Sequence, residues 1–207
     1  MLKNKGLKNF IALFLILFVN GICFAELTPE QVAQKTSSLI SNVKGLEVGF
    51  TILTKSVSSK GNIKSMGKKF AISLPEMKAW FNGSDLYTLN ERTKETTVVK
   101  PSAEELLETN PLLYIRAGGQ YSYNFSPKTV SGKYSIELVP RNKKSEIKKL
   151  VFLINKQNFY PENITVSTGS GSISININTF QPNKTFPSSD FEYPATNLKN
   201  IEIVDLR

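Results

Sequence analysis

Residues 67–115 read GKKFAISLPEMKAWFNGSDLYTLNERTKETTVVKPSAEELLETNPLLYI. The early part of this stretch has the two-residue period of an amphipathic β-strand, with Phe70, Ile72 and Leu74 on one face. Asn82-Gly83 is a strong signal for a tight turn between two strands. A capped, leucine-rich segment follows. The stretch therefore predicts a β-surface with an apolar helix beside it, which is an arrangement able to shelter a hydrophobic ligand.

The leucine-rich segment spans residues 101–115. Ser102 and Glu105 have the spacing of a capping box, and Asn110-Pro111 predicts a break in the helix. Glu104 is adjacent to Glu105, so the two carboxylates point in different directions and suit a helix amino terminus better than acid catalysis. Two interpretations remain for the segment, either a plug at one end of a barrel or a lid over a ligand.

A second helix is predicted near the amino terminus. Thr28 has the position of a cap, Pro29 that of the first helical residue, and Gln31 completes a capping box. The apolar side then recurs at helical spacing as far as Val43, and Gly45 is expected to end the pattern. One face of this helix should therefore lie on a sheet.

The rest of the chain alternates with a period of two. The apolar positions of these runs are Leu46, Val48, Phe50 and Ile52; Tyr121, Tyr123 and Phe125; Tyr134, Ile136 and Leu138; and Ile173, Ile175 and Ile177. Residues 150–154 are apolar throughout, which predicts a central strand covered on both faces. Turn signals occur at residues 59–61, 82–83, 141–142, 161–163 and 169–171, and residues 181–196 should form a long surface connection before a last strand. Together these patterns predict a mainly β chain with a large, strongly curved antiparallel sheet.

The composition removes whole classes of chemistry. The chain has no histidine and one cysteine, Cys23. Histidine-dependent triads, Cys-His nucleophiles and the usual zinc sites are therefore excluded. The carboxylates, lysines, serines and tyrosines that remain are scattered along the sequence. We expect no catalytic residue, no metal site and no cofactor, and thus a protein that is not an enzyme.

The amino terminus has the pattern of an export signal. Lys3, Lys5 and Lys8 precede an apolar run at residues 10–19, and small residues precede a cut after Ala25. The run is shorter than the roughly 20 residues that span a bilayer, which makes a permanent anchor the weaker alternative. Lipid modification of Cys23 is a second alternative. We expect residues 1–25 to be a signal peptide and residues 26–207 to form one exported domain.

Basic residues cluster around one predicted hairpin. The formal net charge of the chain is +9, and the cluster consists of Arg141, Lys143, Lys144, Lys148 and Lys149. These side chains either keep the surface solvated or approach an anionic membrane surface or an acidic partner protein. Nucleic acid is not an expected partner of an exported chain.

The residues around the Asn82-Gly83 turn resemble those of a known protein family. Residues 82–90, NGSDLYTLN, followed by Glu95-Thr96-Thr97-Val98, resemble the Asp-Gly-Lys-Thr-Leu-Trp-x-Tyr-Asn and Gln-Val-Thr pattern of LolA, the periplasmic carrier of outer-membrane lipoproteins. The segments GKKF at 67–70, EEL at 104–106, DFEYP at 190–194 and IEIVDLR at 201–207 are similar to a shorter LolA-like branch of the LolA/LolB-like superfamily. The motifs follow in the same order over essentially all of residues 26–207.

The resemblance implies an incomplete β-barrel whose concave apolar face is covered by the amino-terminal helix and a mid-chain lid. It further implies that lipoprotein acyl chains lie between them, and that a monomer receives lipoproteins from an inner-membrane donor and delivers them to an outer-membrane acceptor. The expected cavity and lid residues are Phe50, Ile52, Phe70, Ile72, Leu74, Trp80, Tyr87, Leu89, Leu106, Leu107, Leu112, Leu113 and Ile115. Trp80 is either a cavity residue or plain core, and Phe50, Ile52, Phe70 and Ile72 face either acyl chains or the first helix.

One departure from the family concerns the lid. LolA-like carriers have an arginine next to a proline near the end of the strand that contains Phe70, and it helps to fasten the lid by hydrogen bonds. The nearest pair here is Leu74-Pro75, and leucine cannot make those bonds. The expectation is a lid held by apolar packing alone. Two other functions remain: a lipid-sensing or scaffold domain that binds a protein partner, and a hydrolase that uses serine, lysine or paired carboxylates.

Overall fold

The computed structural model describes residues 26–116, 118–196 and 201–207, and the predicted signal peptide lies outside them. The helices are α1 (Pro29–Ser41) and α2 (Ala103–Thr109), with 3₁₀ helices at Pro111–Arg116, Gly118–Gln120 and Ser188–Phe191. The strands are β1 (Leu46–Leu53), β2 (Ser58–Met66), β3 (Lys69–Ser73), β4 (Met77–Phe81), β5 (Leu86–Asn90), β6 (Glu95–Val99), β7 (Tyr121–Phe125), β8 (Lys133–Pro140), β9 (Ile147–Asn155), β10 (Pro161–Thr168), β11 (Ser172–Pro182) and β12 (Glu202–Asp205).

All strands of the described residues join one 12-stranded sheet in the order β12-β6-β5-β4-β3-β2-β1-β11-β10-β9-β8-β7. The sheet does not close on itself, since β12 and β7 form its two edges. The prediction of a mainly β fold with an incomplete barrel is confirmed. No helix within the described ranges is long and apolar enough to cross a membrane.

The order of the strands explains why a helical segment covers the inner face. β6 lies beside β12 near one edge of the sheet, whereas β7 forms the opposite edge. The chain between β6 and β7 must therefore cross the open side of the half-barrel. This crossing carries α2 and the 3₁₀ helix Pro111–Arg116, which together we call the lid.

Both helices begin as the sequence predicts. The Thr28 hydroxyl accepts from the Gln31 backbone N–H at 3.2 Å, and the Gln31 side chain accepts from the Thr28 N–H at 2.9 Å. Ser102 and Glu105 make the equivalent pair of bonds at α2. Each capping box satisfies backbone donors that a helix amino terminus leaves unpaired.

The end of α1 differs from the prediction. The helix stops at Ser41, with Asn42 as its cap, rather than at Gly45. Gly45 is needed for space instead, because a Cβ there would lie 2.6 Å from the Lys184 carbonyl oxygen and 2.9 Å from the Phe186 ring.

Two predicted turns are wrong. Residues 59–61 lie inside β2, and the hairpin turn precedes them, where the Thr54 N–H donates to the Val57 carbonyl. Gly61 occurs there because a Cβ would lie 2.4 Å from Phe50 and 2.7 Å from Leu74. Pro161 begins β10, where its missing N–H is tolerated, and the turn lies at residues 156–160.

Two features of the strands also differ from the prediction. β12 pairs with β6 in parallel, so the sheet is not wholly antiparallel. In β9, Leu150, Phe152 and Ile154 are buried but Val151 and Leu153 are only half-buried, so this strand is not covered on both faces. The physical reason is that α1 and the lid pack on the inner face alone.

Candidate functional site

A cavity of about 490 Å³ lies between the inner face of the sheet and the lid. Its wall is made chiefly of apolar side chains on the inner face of the sheet: Phe50, Ile52, Ile63, Ile72, Leu74, Met77, Ile147, Ile164, Val166, Ile173, Ile175 and Ile177. Pro111, Leu112 and Tyr114 close it from the lid. We call this space the first cavity.

The first cavity lies towards one end of the sheet. At this end β1 turns into β2 and β10 turns into β11, and the chain also turns at residues 74–76, 91–94 and 141–146. Ile52 and Leu74, which lie just before two of these turns, belong to the wall. We call this the cavity end of the sheet.

The polar members of the wall are few. They are Thr88, Thr109, Thr168, Glu108 and Glu146, and the two glutamates are exposed. Burial, together with the nearby charges of Glu104 and Glu146, raises the pKa of the Glu108 carboxyl above its ordinary value. Among the described residues, no group of three or more Cys, Asp or Glu side chains has the arrangement of a metal site. The wall thus suits a hydrophobic ligand better than a reaction.

A second cavity of about 500 Å³ adjoins the other side of the lid. It is lined by Ile40 of α1, by Phe70 and Phe81 of the sheet, and by Leu106, Leu107 and Leu113 of the lid. Lys68, Lys69 and Arg116 also border it, so it is the more polar space. Leu112, which is 2% exposed, lines both cavities and separates them.

The lid is fastened by polar contacts as well as by packing. The Tyr123 hydroxyl donates to the Ile115 carbonyl at 3.4 Å and accepts from the Gly118 N–H at 3.2 Å. The buried Asn110 side chain accepts from the Leu112 N–H at 3.2 Å. The expectation that apolar packing alone would hold the lid is therefore wrong. A tyrosine on edge strand β7 supplies hydrogen bonds at the end of the lid.

The structure distributes the predicted cavity residues over several places. Phe50, Ile52, Ile72, Leu74 and Leu112 stand on the wall of the first cavity, and Phe70, Leu106, Leu107 and Leu113 on that of the second. Ile115 lies instead beside Ala33 and Gln34 of α1, where it anchors the lid. Whether these residues contact a ligand stays a prediction.

Tyr87 and Leu89 line neither cavity, so their predicted placement is wrong, and Trp80, for which the sequence left a cavity position and a core position open, also lines neither. Leu86 and Thr88 take the inner positions of β5, so the two-residue period turns Tyr87 and Leu89 to the outer face. Trp80 pairs with Tyr87 and shares that face. There, the Tyr193 ring stacks on Tyr87 at 5.1 Å and meets Trp80 edge-on at 5.6 Å.

The segment that carries Tyr193 closes the outer face of β2–β6. The Tyr193 hydroxyl and the buried Thr96 hydroxyl are 3.1 Å apart. Lys64 binds Asp190 at 2.9 Å, and Lys69 binds Glu192 at 3.3 Å. We call these contacts, with Trp80, Tyr87, Leu89 and Phe191, the outer cluster. Its apolar surface is covered by the chain itself.

The predicted basic cluster is only partly a cluster. Arg141, Lys143, Lys144 and Lys148 are exposed at the cavity end. Lys149 lies on the outer face, where its ammonium group binds the Glu137 carboxylate at 3.1 Å. Because side chains alternate between the two faces along β9, Lys149 does not lie with the other four basic residues.

Several wall residues were missed by the sequence-based prediction. The alternation of Ile173, Ile175 and Ile177 was a usable signal, because a shared strand face should line the same space as Phe50 and Ile52. Ile63 had no such signal, since β2 reads SSKGNIKSM and is largely polar.

The structure thus combines a curved open sheet with a lid over an apolar cavity. The sequence model of a family described as "Outer membrane lipoprotein carrier protein LolA" matches residues 23–180. The chain belongs to this LolA family. No curated protein matches it.

Solved structures share the fold at low sequence identity. An uncharacterized conserved protein from Thermus thermophilus is similar with a TM-score of 0.58 at 7% identity, over 85% of this chain and 98% of that one. A DUF1329 family protein from Desulfovibrio piger has a TM-score of 0.50 at 10% identity, with 84% and 100% covered. A LolA superfamily protein from Nitrosomonas europaea has a TM-score of 0.45 at 13% identity, with 82% and 100% covered.

Proposed function

We propose that this protein is a non-catalytic periplasmic carrier that binds lipoprotein acyl chains in the first cavity. In this proposal, residues 1–25 are removed on export, and residues 26–207 act as a monomeric domain. It receives lipoproteins from a donor at the inner membrane and passes them to an acceptor at the outer membrane. The observation that carries the proposal is an unfilled apolar cavity beneath a segment that crosses from one sheet edge to the other.

The size and lining of the cavity support an acyl chain as the ligand. Its volume of about 490 Å³ lies within the range of small-molecule sites. The wall offers apolar side chains from seven strands and few polar groups, so an acyl chain that enters leaves few hydrogen-bonding groups of the wall unpaired. Family membership supports the lipoprotein as the source of that chain.

The energetics favour transfer over release into water. Moving an acyl chain of about 16 carbons out of water gains on the order of 12 kcal/mol at roughly 0.8 kcal/mol per methylene. Spontaneous release into water would therefore be slow. The closed lid buries Leu112 and Leu107, which are 2% and 9% exposed. Opening the lid exposes part of this surface, which lowers the net affinity and permits exchange with another apolar site.

The test measures acyl binding by a protein whose cavity is filled by one side chain. Ile177→Trp places an indole in the first cavity, and we expect at least a tenfold loss of affinity for a fluorescent C16 acyl probe. Asn178→Trp is the matched control, because the next residue of β11 lies on the exposed outer face. The control should bind the probe as the wild-type protein does.

Two results would contradict the proposal. The first is equal binding by Ile177→Trp and the wild-type protein. The second is protein purified from its native envelope that carries neither lipid nor lipoprotein by mass spectrometry and takes none up from a labelled lipoprotein. A stable one-to-one complex with a partner protein, without acyl uptake, would favour a scaffold function instead.

A further inference from the structure

Exposed apolar side chains gather at the cavity end of the sheet. Val57 is 59% exposed, Ile173 is 40% exposed and Leu53 is 36% exposed. They belong to two neighbouring hairpins, because β1 pairs with β11 and Leu53 stands opposite Ser174. Large apolar side chains this exposed, grouped on adjacent turns, are typical of an interaction surface.

The exposed group is continuous with the first cavity. Ile173 is partly open to solvent and also belongs to the cavity wall, whereas Leu53 lies on the opposite face of the sheet from Ile52. An apolar path therefore leads from the β10–β11 hairpin into the cavity. A ligand that entered along this path would leave its previous apolar surroundings without crossing a layer of water.

The charge around the group is positive. Residues 53–60 contain Lys55 and Lys60, both exposed, and no acidic residue, and residues 167–175 contain no charged residue. The exposed Arg141, Lys143 and Lys144 stand on another turn at the same end. The five turns at this end carry six basic residues against three acidic ones, Glu76, Glu91 and Glu146, and Glu91 is bound to Lys78 and Lys94, so positive charge is in excess. Apolar tips flanked by lysines match the surface of an anionic bilayer.

We propose that the hairpin tips at residues 53–60 and 167–175 dock onto an anionic lipid surface, with Leu53, Val57 and Ile173 entering the interface. The lysines of the first hairpin and the basic turn at residues 141–144 contact the lipid head groups. This inference rests on the proposed function for its purpose, since docking brings the path into the cavity against the source or the destination of an acyl chain.

The experiment measures the partition of residues 26–207 onto vesicles by co-sedimentation. The vesicles contain phosphatidylethanolamine with a minor share of anionic phosphatidylglycerol, and pure phosphatidylcholine vesicles serve for comparison. We expect wild-type protein to prefer the anionic vesicles and to lose the preference in high salt. Val57→Glu should reduce partition by about tenfold, because it removes an inserted side chain and adds repulsion.

The matched control is Leu206→Glu. Leu206 is 63% exposed and follows β12 at the opposite end of the sheet, since β12 runs parallel to β6. This variant should partition as the wild-type protein does, and the double variant Lys55→Glu, Lys60→Glu should lose the anionic preference. Neither Val57 nor Leu206 lines a cavity, so both variants should bind the C16 probe normally.

The inference is overturned if wild-type protein does not partition onto anionic vesicles, or if Val57→Glu and Leu206→Glu behave alike. It is also overturned if Val57→Glu instead dissociates a dimer in analytical ultracentrifugation, which would make the tips a contact between two copies. Vesicle docking without probe binding would contradict the proposed function and leave docking established. Probe binding without docking would support the proposed function and overturn the docking.

Discussion

The two faces of β4 and β5 differ in how far the rest of the chain covers their side chains. On the outer face, Tyr193 fills the space over Trp80 and Tyr87, and Leu89 is fully buried. On the inner face, Met77 and Thr88 border a cavity that the chain leaves unfilled. The same alternating strands thus supply a closed structural cluster on one side and an open wall on the other. The contrast shows that apolar character alone does not identify a ligand site, because the decisive property is whether the chain covers the surface itself.

The sharpest test of this contrast compares two leucines. Leu89 is 0% exposed and lines neither cavity, whereas Leu112 is 2% exposed and borders both. We expect Leu89→Ala to lower the free energy of unfolding by about 4 kcal/mol and Leu112→Ala by about 2 kcal/mol, because a side chain beside empty space has fewer packing contacts to lose. Urea denaturation measures both values. Equal losses would show that the two environments are packed alike.

A second test removes the cover of the outer cluster. Tyr193→Ala should lower the free energy of unfolding by about 2 kcal/mol, because it deletes a half-buried ring that contacts two aromatic side chains. Tyr193→Phe keeps the ring and loses the contact with the Thr96 hydroxyl, and it should cost about 1 kcal/mol. The affinity for the C16 probe should stay unchanged in both variants. A weaker affinity would connect the outer cluster to the ligand site.

The smallest expected effect concerns the outer face at the cavity end, where ion pairs connect β4 with the turn at residues 91–94. Hydrogen bonds from Lys78 at 2.6 Å and Lys94 at 2.8 Å lower the pKa of the Glu91 carboxyl to about 2. The folded-state pKa lies below the ordinary value of 4.5, so this stabilisation is complete above about pH 4.5 and is lost as the pH falls towards 2.

We expect Glu91→Gln to cost roughly 1 kcal/mol at pH 7, since the exposed lysines are screened by solvent. The difference from the wild-type protein should shrink as the pH falls through that window, as measured by urea denaturation at a series of pH values. A constant difference down to pH 2 would mean that Glu91 acts through shape and not through charge.

Local signals in the sequence predicted much of the fold. The capping boxes at Thr28 and Ser102 and the turn at Asn82-Gly83 depend on residues close in the chain, and the structure contains all three. Alternation also placed Phe50 and Ile72 on the inner face. β2 was missed because its side chains are largely polar, and its position depends on pairing with β1 and β3 rather than on its own composition.

The candidate site was harder to predict than the fold. Period two says that Tyr87 and Leu89 share a face, but it does not say which face points inward. That choice depends on the segment around Tyr193, more than 100 residues further along the chain, which covers the outer side. The hydrogen bonds by which Tyr123 holds the end of the lid could not be predicted from the sequence either, because they join an edge strand to the preceding turn.

The caps, several turns, the period of the strands and the lack of histidine chemistry can be read from the sequence, since each follows from neighbouring residues or from composition. The position of the cavity depends on how distant parts of the chain fold together. The strand order puts β6 near one edge and β7 at the other, so the connection between them must cross the open side of the sheet. Whether an apolar face ends as core or as cavity depends on what distant segments bring to cover it, and no local pattern contains that information.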